Sequence, residues 1–95
     1  MKPTSITASE ASSIALNLIG FIVSDEERLE RFLASSGLML SDLKDGAANP
    51  QFQGFVLEYA LQDEKLIVDF ALESGNKAEI IQTARYSLPG ATYDF

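Results

Sequence analysis

Phe55 to Leu72 reads FVLEYALQDEKLIVDFAL, and the fold class turns on it. As strands, FVLEY and LIVDFAL would flank a turn. As helices, they would form two short rods broken near Gln62-Asp63. Two features favour helices. The connecting Gln62-Asp63-Glu64-Lys65 lacks the Asn-Gly or Asp-Gly pair that tight hairpins use. The apolar residues also recur at steps of three and four rather than alternating. Phe52, Phe55, Val56, Tyr59 and Ala60 share one face before the break, and Leu66, Ile67, Phe70 and Ala71 share one after it. Asn49-Pro50 opens the first helix, because Asn is a preferred cap and Pro tolerates the first helical position. Asp63 can cap the second, and Gly75 supplies its left-handed stop.

Further towards the N-terminus, Ala11, Ile14, Ala15, Leu18, Phe21 and Ile22 define one helical face, and Leu16, Ile19 and Val23 widen it. Ser24-Asp25-Glu26-Glu27 has the capping-box form, with Ser24 as the cap, and starts a helix with Leu29, Phe32 and Leu33 inward. Gly37 ends it. Ser41 to Ala48 reads as a short helix capped by Ser41, with Leu43 inward. Asn76 to Glu79 opens a last helix through Ile80, Ile81, Ala84 and Leu88, with Glu79 in a capping-box position and Pro89-Gly90 as terminator. The expected fold is an all-α compact bundle of five or six short helices. It forms one domain over residues 10–90, with a flexible N-terminus at 1–9 and a C-terminal tail at 91–95. A chain of 95 residues leaves no room for a second core.

A shift of 38 residues superimposes much of one half on the other. Asp25-Glu26 falls on Asp63-Glu64, Phe21 on Tyr59, Leu29 on Ile67, Phe32 on Phe70, Ser36-Gly37 on Ser74-Gly75, and Leu43 on Ile81. The bundle can therefore be a duplicated three-helix unit. Two copies are too few for an open array, which favours a closed bundle. Gly20 and Gly54 fall inside expected helices, where glycine costs about 1 kcal/mol against alanine, so each is expected to mark a close helix–helix approach.

Composition narrows the chemistry. There are 7 Lys and Arg against 14 Asp and Glu, for a formal charge of −7, with no Cys, His or Trp. Disulfides, thiolate nucleophiles, Cys-ligated metals and His-based triads are excluded within the chain. The acidic excess and scattered basic residues argue against nucleic acid. The longest apolar run, Ile14 to Val23, spans ten residues against the about 20 a bilayer requires. No membrane association and a cytoplasmic location are therefore expected.

The order of elements resembles a known family. The relevant residues are Asp25-Glu26-Glu27-Arg28-Leu29, Arg31-Phe32-Leu33, Ser36-Gly37-Leu38 and Asp42-Leu43-Lys44, then Pro50-Gln51-Phe52, Val56-Leu57-Glu58-Tyr59, Asp63-Glu64 and Leu88-Pro89-Gly90. From about Ile14 to Gly90 the chain is similar to the short alphaproteobacterial proteins called domain of unknown function 3572. The resemblance implies a small helical bacterial protein of the cytoplasm. It implies no activity, cofactor or catalytic residue. Glu26 stands where that pattern has a proline.

Among candidate sites, Asp25, Glu26, Glu27 and Glu30 cluster one turn apart, as do Asp63, Glu64 and Asp69. Such carboxylates can hold a divalent cation or exchange protons, yet acids in a first helical turn also serve as caps and complement the helix dipole. No EF-hand loop is present. Tyr59 and Tyr86 carry hydroxyls able to orient a ligand but read as packed aromatics. Arg28 and Arg31, with Tyr93 and Phe95 in the tail, are the candidate partner contacts. No catalytic, metal or cofactor residue is assigned. The expected function is a non-enzymatic protein-interaction or scaffold module with a protein partner or a second copy. The alternative is a carboxylate-based ligand- or metal-binding protein or enzyme.

Overall fold

The computed structural model describes residues 6–88. Six helices follow in order: α1 (Ala8–Val23), α2 (Glu26–Ser36), α3 (Leu40–Gly46), α4 (Pro50–Leu61), α5 (Glu64–Ser74) and α6 (Ile80–Tyr86). No strand occurs among the described residues, and residues 55–72 are helical on both sides of Gln62-Asp63.

Local chemistry explains where the helices begin and end. The Asp25 carboxylate accepts from the Arg28 amide at 2.9 Å, and Asp63 from the Leu66 amide at 3.2 Å. Asn49 accepts from the Gln51 and Phe52 amides ahead of Pro50. Each bond satisfies a donor that the first helical turn leaves open. Gly37 and Gly75 adopt φ of 77° and 78° and stop α2 and α5, a conformation that a Cβ would strain.

Four details of the sequence reading are corrected. Ser24 does not cap α2: it closes α1 in the right-handed region, and its hydroxyl donates to the Phe21 carbonyl at 2.8 Å. The extended backbone a cap requires is found at Asp25. α3 begins at Leu40 rather than after Ser41, because the Met39 amide donates to the Asp42 carboxylate at 2.8 Å. Glu79 is a helical turn residue without a capping bond, and backbone bonds from Ile80 to Lys77 and from Ile81 to Ala78 start α6 instead. α1 begins at Ala8, ahead of the expected domain start at residue 10. Thr7 and Glu10 form a reciprocal capping box there, with bonds of 3.0 and 2.9 Å. The Pro89-Gly90 terminator lies outside the described residues.

α1 and α4 form the centre, packing against each other and jointly against α6; α2 lies on α1 and α5 on α4. Leu18, Ile22, Val56, Leu57, Ile81 and the rings of Phe32 and Phe70 are sealed in the core. Leu16 and Val23 do not widen the buried face of α1: they are 44% and 38% exposed.

The 38-residue correspondence has a structural counterpart. α2 and α5 are in register at both ends, and α1 and α4 end at Val23 and Leu61. Leu18 and Val56, Phe32 and Phe70, and Leu43 and Ile81 are buried in pairs. Cross-contacts exchange as well: Phe21 meets Phe70 edge-on at 5.6 Å, and its counterpart Tyr59 meets Phe32 edge-on at 4.6 Å. The third helices break the correspondence. α6 packs on both central helices, whereas α3 packs on neither to that extent. α3 is held through Leu43, while the Gln53 side-chain amide donates to the Ala47 carbonyl at 2.7 Å just beyond its end.

The two helix-interior glycines have different surroundings. A Cβ on Gly54 would stand 3.0 Å from a terminal guanidinium nitrogen of Arg85, so the close approach is by a side chain of α6. A Cβ on Gly20 would meet no described residue outside its own helix within 4 Å, so no described helix explains that glycine.

Candidate functional site

The N-terminal turns of α2 and α5 face one another across a cleft of about 130 Å³. Ile22, Phe32 and Leu66 give it an apolar floor. Its charged lining comes from Asp25, Glu27, Arg28 and Arg31 on one side and Asp63, Lys65 and Asp69 on the other. Several of these are partners in the 38-residue correspondence: Asp25 and Asp63, Glu27 and Lys65, Arg31 and Asp69. An open depression past Arg31 continues towards Ser35, Tyr59 and Gln62.

Most of these charges have local work. The Arg28 guanidinium donates to the Phe21 carbonyl and stacks 3.7 Å from the centre of the Phe21 ring. It thereby meets one of the last carbonyls of α1, where a cation complements the helix dipole, and gains a cation–π contact. Asp25 and Asp63 cap their helices. Lys65 and Asp69 pair at 2.7 Å one turn apart. Arg31 is 52% exposed and lies 3.9 Å from the Asp63 carboxylate, a contact solvent weakens. The cleft itself holds about 130 Å³, below the roughly 300 Å³ at which small-molecule pockets begin, while the more open depression beside it, which shares Arg31, Tyr59 and Asp63, holds about 310 Å³. Among the described residues, no three carboxylates gather where one cation would touch them all.

The structure therefore brings Arg28 and Arg31 to one cleft but gives them different duties: Arg28 is engaged with α1, and Arg31 reaches towards solvent. Glu26, Glu27 and Glu30 are exposed on α2. Tyr59 is half-buried against Phe32, and Tyr86 is 46% exposed. Tyr93 and Phe95 lie outside the described residues. Sequence reasoning missed Arg85. It is only 8% exposed, its guanidinium lies over Gly54, and its Nε is 3.6 Å from Glu58. The interior glycine of α4 was the one signal that something approaches there.

No described helix is long and apolar enough to cross a membrane. No curated protein and no solved structure matches the chain. The model of the family described as Protein of unknown function (DUF3572) matches residues 8–91, which takes in all six helices. The chain belongs to that family.

Proposed function

We propose that the protein is a non-enzymatic protein-interaction module. The observation that carries this reading is the set of large apolar side chains held outside the core: Leu72 is 78% exposed, Met39 67%, and Leu16, Phe55 and Val68 about 44–45%. More than half of the Leu72 and Met39 surface stays in solvent, and apolar side chains so exposed are available to a protein partner. The acids support the same reading. Asp25, Asp63 and Asp42 accept backbone amides, and Asp69 pairs with Lys65. That leaves carboxylate chemistry, the alternative reading, with less to work with. Arg31 is the better placed of the two cleft arginines for a partner contact, with Tyr93 and Phe95 as further candidates. A cytoplasmic setting rests on the family resemblance.

Two measurements on the full chain test the reading. One is thermal unfolding with a panel of divalent metals and common metabolites. The other is light scattering combined with affinity capture from native lysate. The expected result is a stoichiometric complex and no ligand-induced rise in melting temperature. A strict monomer without a partner, stabilised by a ligand, would overturn it; a ligand at 100 times its Kd adds about 2.7 kcal/mol.

A further inference from the structure

α3 is fastened to the bundle less than any other helix. Each of the other five packs on α1 or α4, and α3 packs on no helix to that extent. It has seven residues, of which only Leu43 is buried. Ser41, Asp42, Lys44 and Asp45 are exposed, and Met39 and Leu40 at its start keep much of their surface in solvent. α6, the third helix of the other half, also has seven residues but buries Ile81, Ala84 and Arg85.

The polar bonds of α3 are mostly its own. The Met39 amide donates to Asp42 within the first turn, and the Gly46 carbonyl accepts from the Asn49 amide in the connecting turn. Among the described residues, one hydrogen bond reaches this segment from inside another helix, from the Gln53 side-chain amide to the Ala47 carbonyl at 2.7 Å. The fastenings are therefore this bond, Leu43, and the Phe52 ring lying against Gly46. The bond is imperfect. Gln53 is wholly buried, and its Oε1 accepts from no described residue. A buried acceptor without a donor is unfavourable, and water relieves it.

We propose that α3 is a detachable latch. It leaves the bundle as a unit and withdraws Leu43 from the core, while the other five helices stay packed. Opening gives up few fastenings and hydrates both ends of the Gln53 amide. A released helix of seven residues is too short to persist in water, so the freed segment also gains chain entropy. Segments with few buried apolar contacts open at a lower cost than the whole domain. The connections suit such a movement: Gly37 leads into the segment in a left-handed turn, and Ala47 to Asn49 lead out of it ahead of Pro50. Opening uncovers the socket that Leu43 fills, beside the Gln53 amide, an apolar surface with a polar group that the closed bundle hides. It needs no partner, so it stands apart from the interaction reading above.

The absence of cysteine allows a direct test on the full chain. Leu43 and Ile81 correspond at the 38-residue shift and are both buried, so a thiol at either position reacts with a soluble aromatic disulfide only when its helix opens. Leu43→Cys is expected to react about a hundredfold or more faster than Ile81→Cys, at a rate that low urea leaves unchanged. Ile81→Cys is expected to react only through global unfolding, at a rate that rises with urea. Native-state hydrogen exchange on the wild-type chain gives a second reading without a core substitution. The amides of Lys44, Asp45 and Gly46 should exchange about a hundredfold or more faster than those of Leu18, Ile19, Val56 and Leu57, again without dependence on low urea. Thiol and amides that respond only to global unfolding, in step with α1 and α4, would overturn the latch. Fast α3 amides beside a slow Leu43→Cys thiol would overturn it too, since they report a fraying last turn with Leu43 still seated.

Discussion

The ring of Phe32 in α2 meets that of Tyr59 in α4 edge-on at 4.6 Å, and the same geometry recurs 38 residues away between Phe70 of α5 and Phe21 of α1. Each buried phenylalanine therefore fastens an outer helix to the central helix of the other half. Phe32→Ala and Phe70→Ala are each expected to cost about 3–5 kcal/mol. In a domain this small that loss is comparable with the whole stability margin. Urea unfolding followed by circular dichroism measures it. A cost below about 1 kcal/mol for either would contradict the cross-bracing, since a buried ring removed from a packed core leaves a cavity.

The acidic caps separate structure from chemistry. Asp25→Ala and Asp63→Ala should each lose about 1 kcal/mol, while Asp25→Asn and Asp63→Asn should lose little, because asparagine caps as well as aspartate. Ser24→Ala should be nearly silent. Thermal melts of the five variants check this. If the Asn variants were as damaged as the Ala variants, the negative charge itself would be required.

The glycines should respond with opposite signs. Gly37→Ala and Gly75→Ala force a side chain into the left-handed region and are expected to destabilise by about 1 kcal/mol. Gly20→Ala places a methyl group in open space on a helix and should stabilise the isolated chain by up to about 1 kcal/mol. Denaturation at low protein concentration reads both, so that association does not mask the second.

Arg28 and Arg31 are close in sequence and unequal in energy. Arg28→Ala removes the stack on Phe21 and the bond to its carbonyl, for an expected loss of about 1–2 kcal/mol. Arg31→Ala removes only a solvent-weakened contact with Asp63 and should cost under about 1 kcal/mol. Chemical denaturation of the two variants distinguishes them, and equal losses would contradict the assignment of Arg28 to α1.

The six helices were legible because their signals are local. Asp63 and Asn49 announce starts, Gly37 and Gly75 announce stops, and the apolar spacing follows the helical period throughout; at α2 the start was legible but its cap is Asp25 and not Ser24. The start of α3 was misplaced because Ser41 and Asp42 both offer a capping oxygen, and the choice depends on which backbone amide is turned towards it. The site was much less legible. Gly20 and Gly54 are indistinguishable as letters, yet Gly54 lies beneath Arg85 and Gly20 beneath no described residue, a difference that arises only when α6 packs on α4. Arg28 read as a surface cation because its partner, the Phe21 carbonyl, comes within reach only after the chain turns at Ser24-Asp25. Leu16 and Val23 satisfied the apolar pattern of α1 as well as the core residues did, and only the packed bundle places them outside.

The mass of the chain in solution, alone and with native lysate, tests the account most directly. Light scattering after gel filtration, combined with affinity capture, should give a stoichiometric complex heavier than the 10.4 kDa of the single chain. A mass of 10.4 kDa across the whole concentration range with no captured partner would contradict the interaction reading.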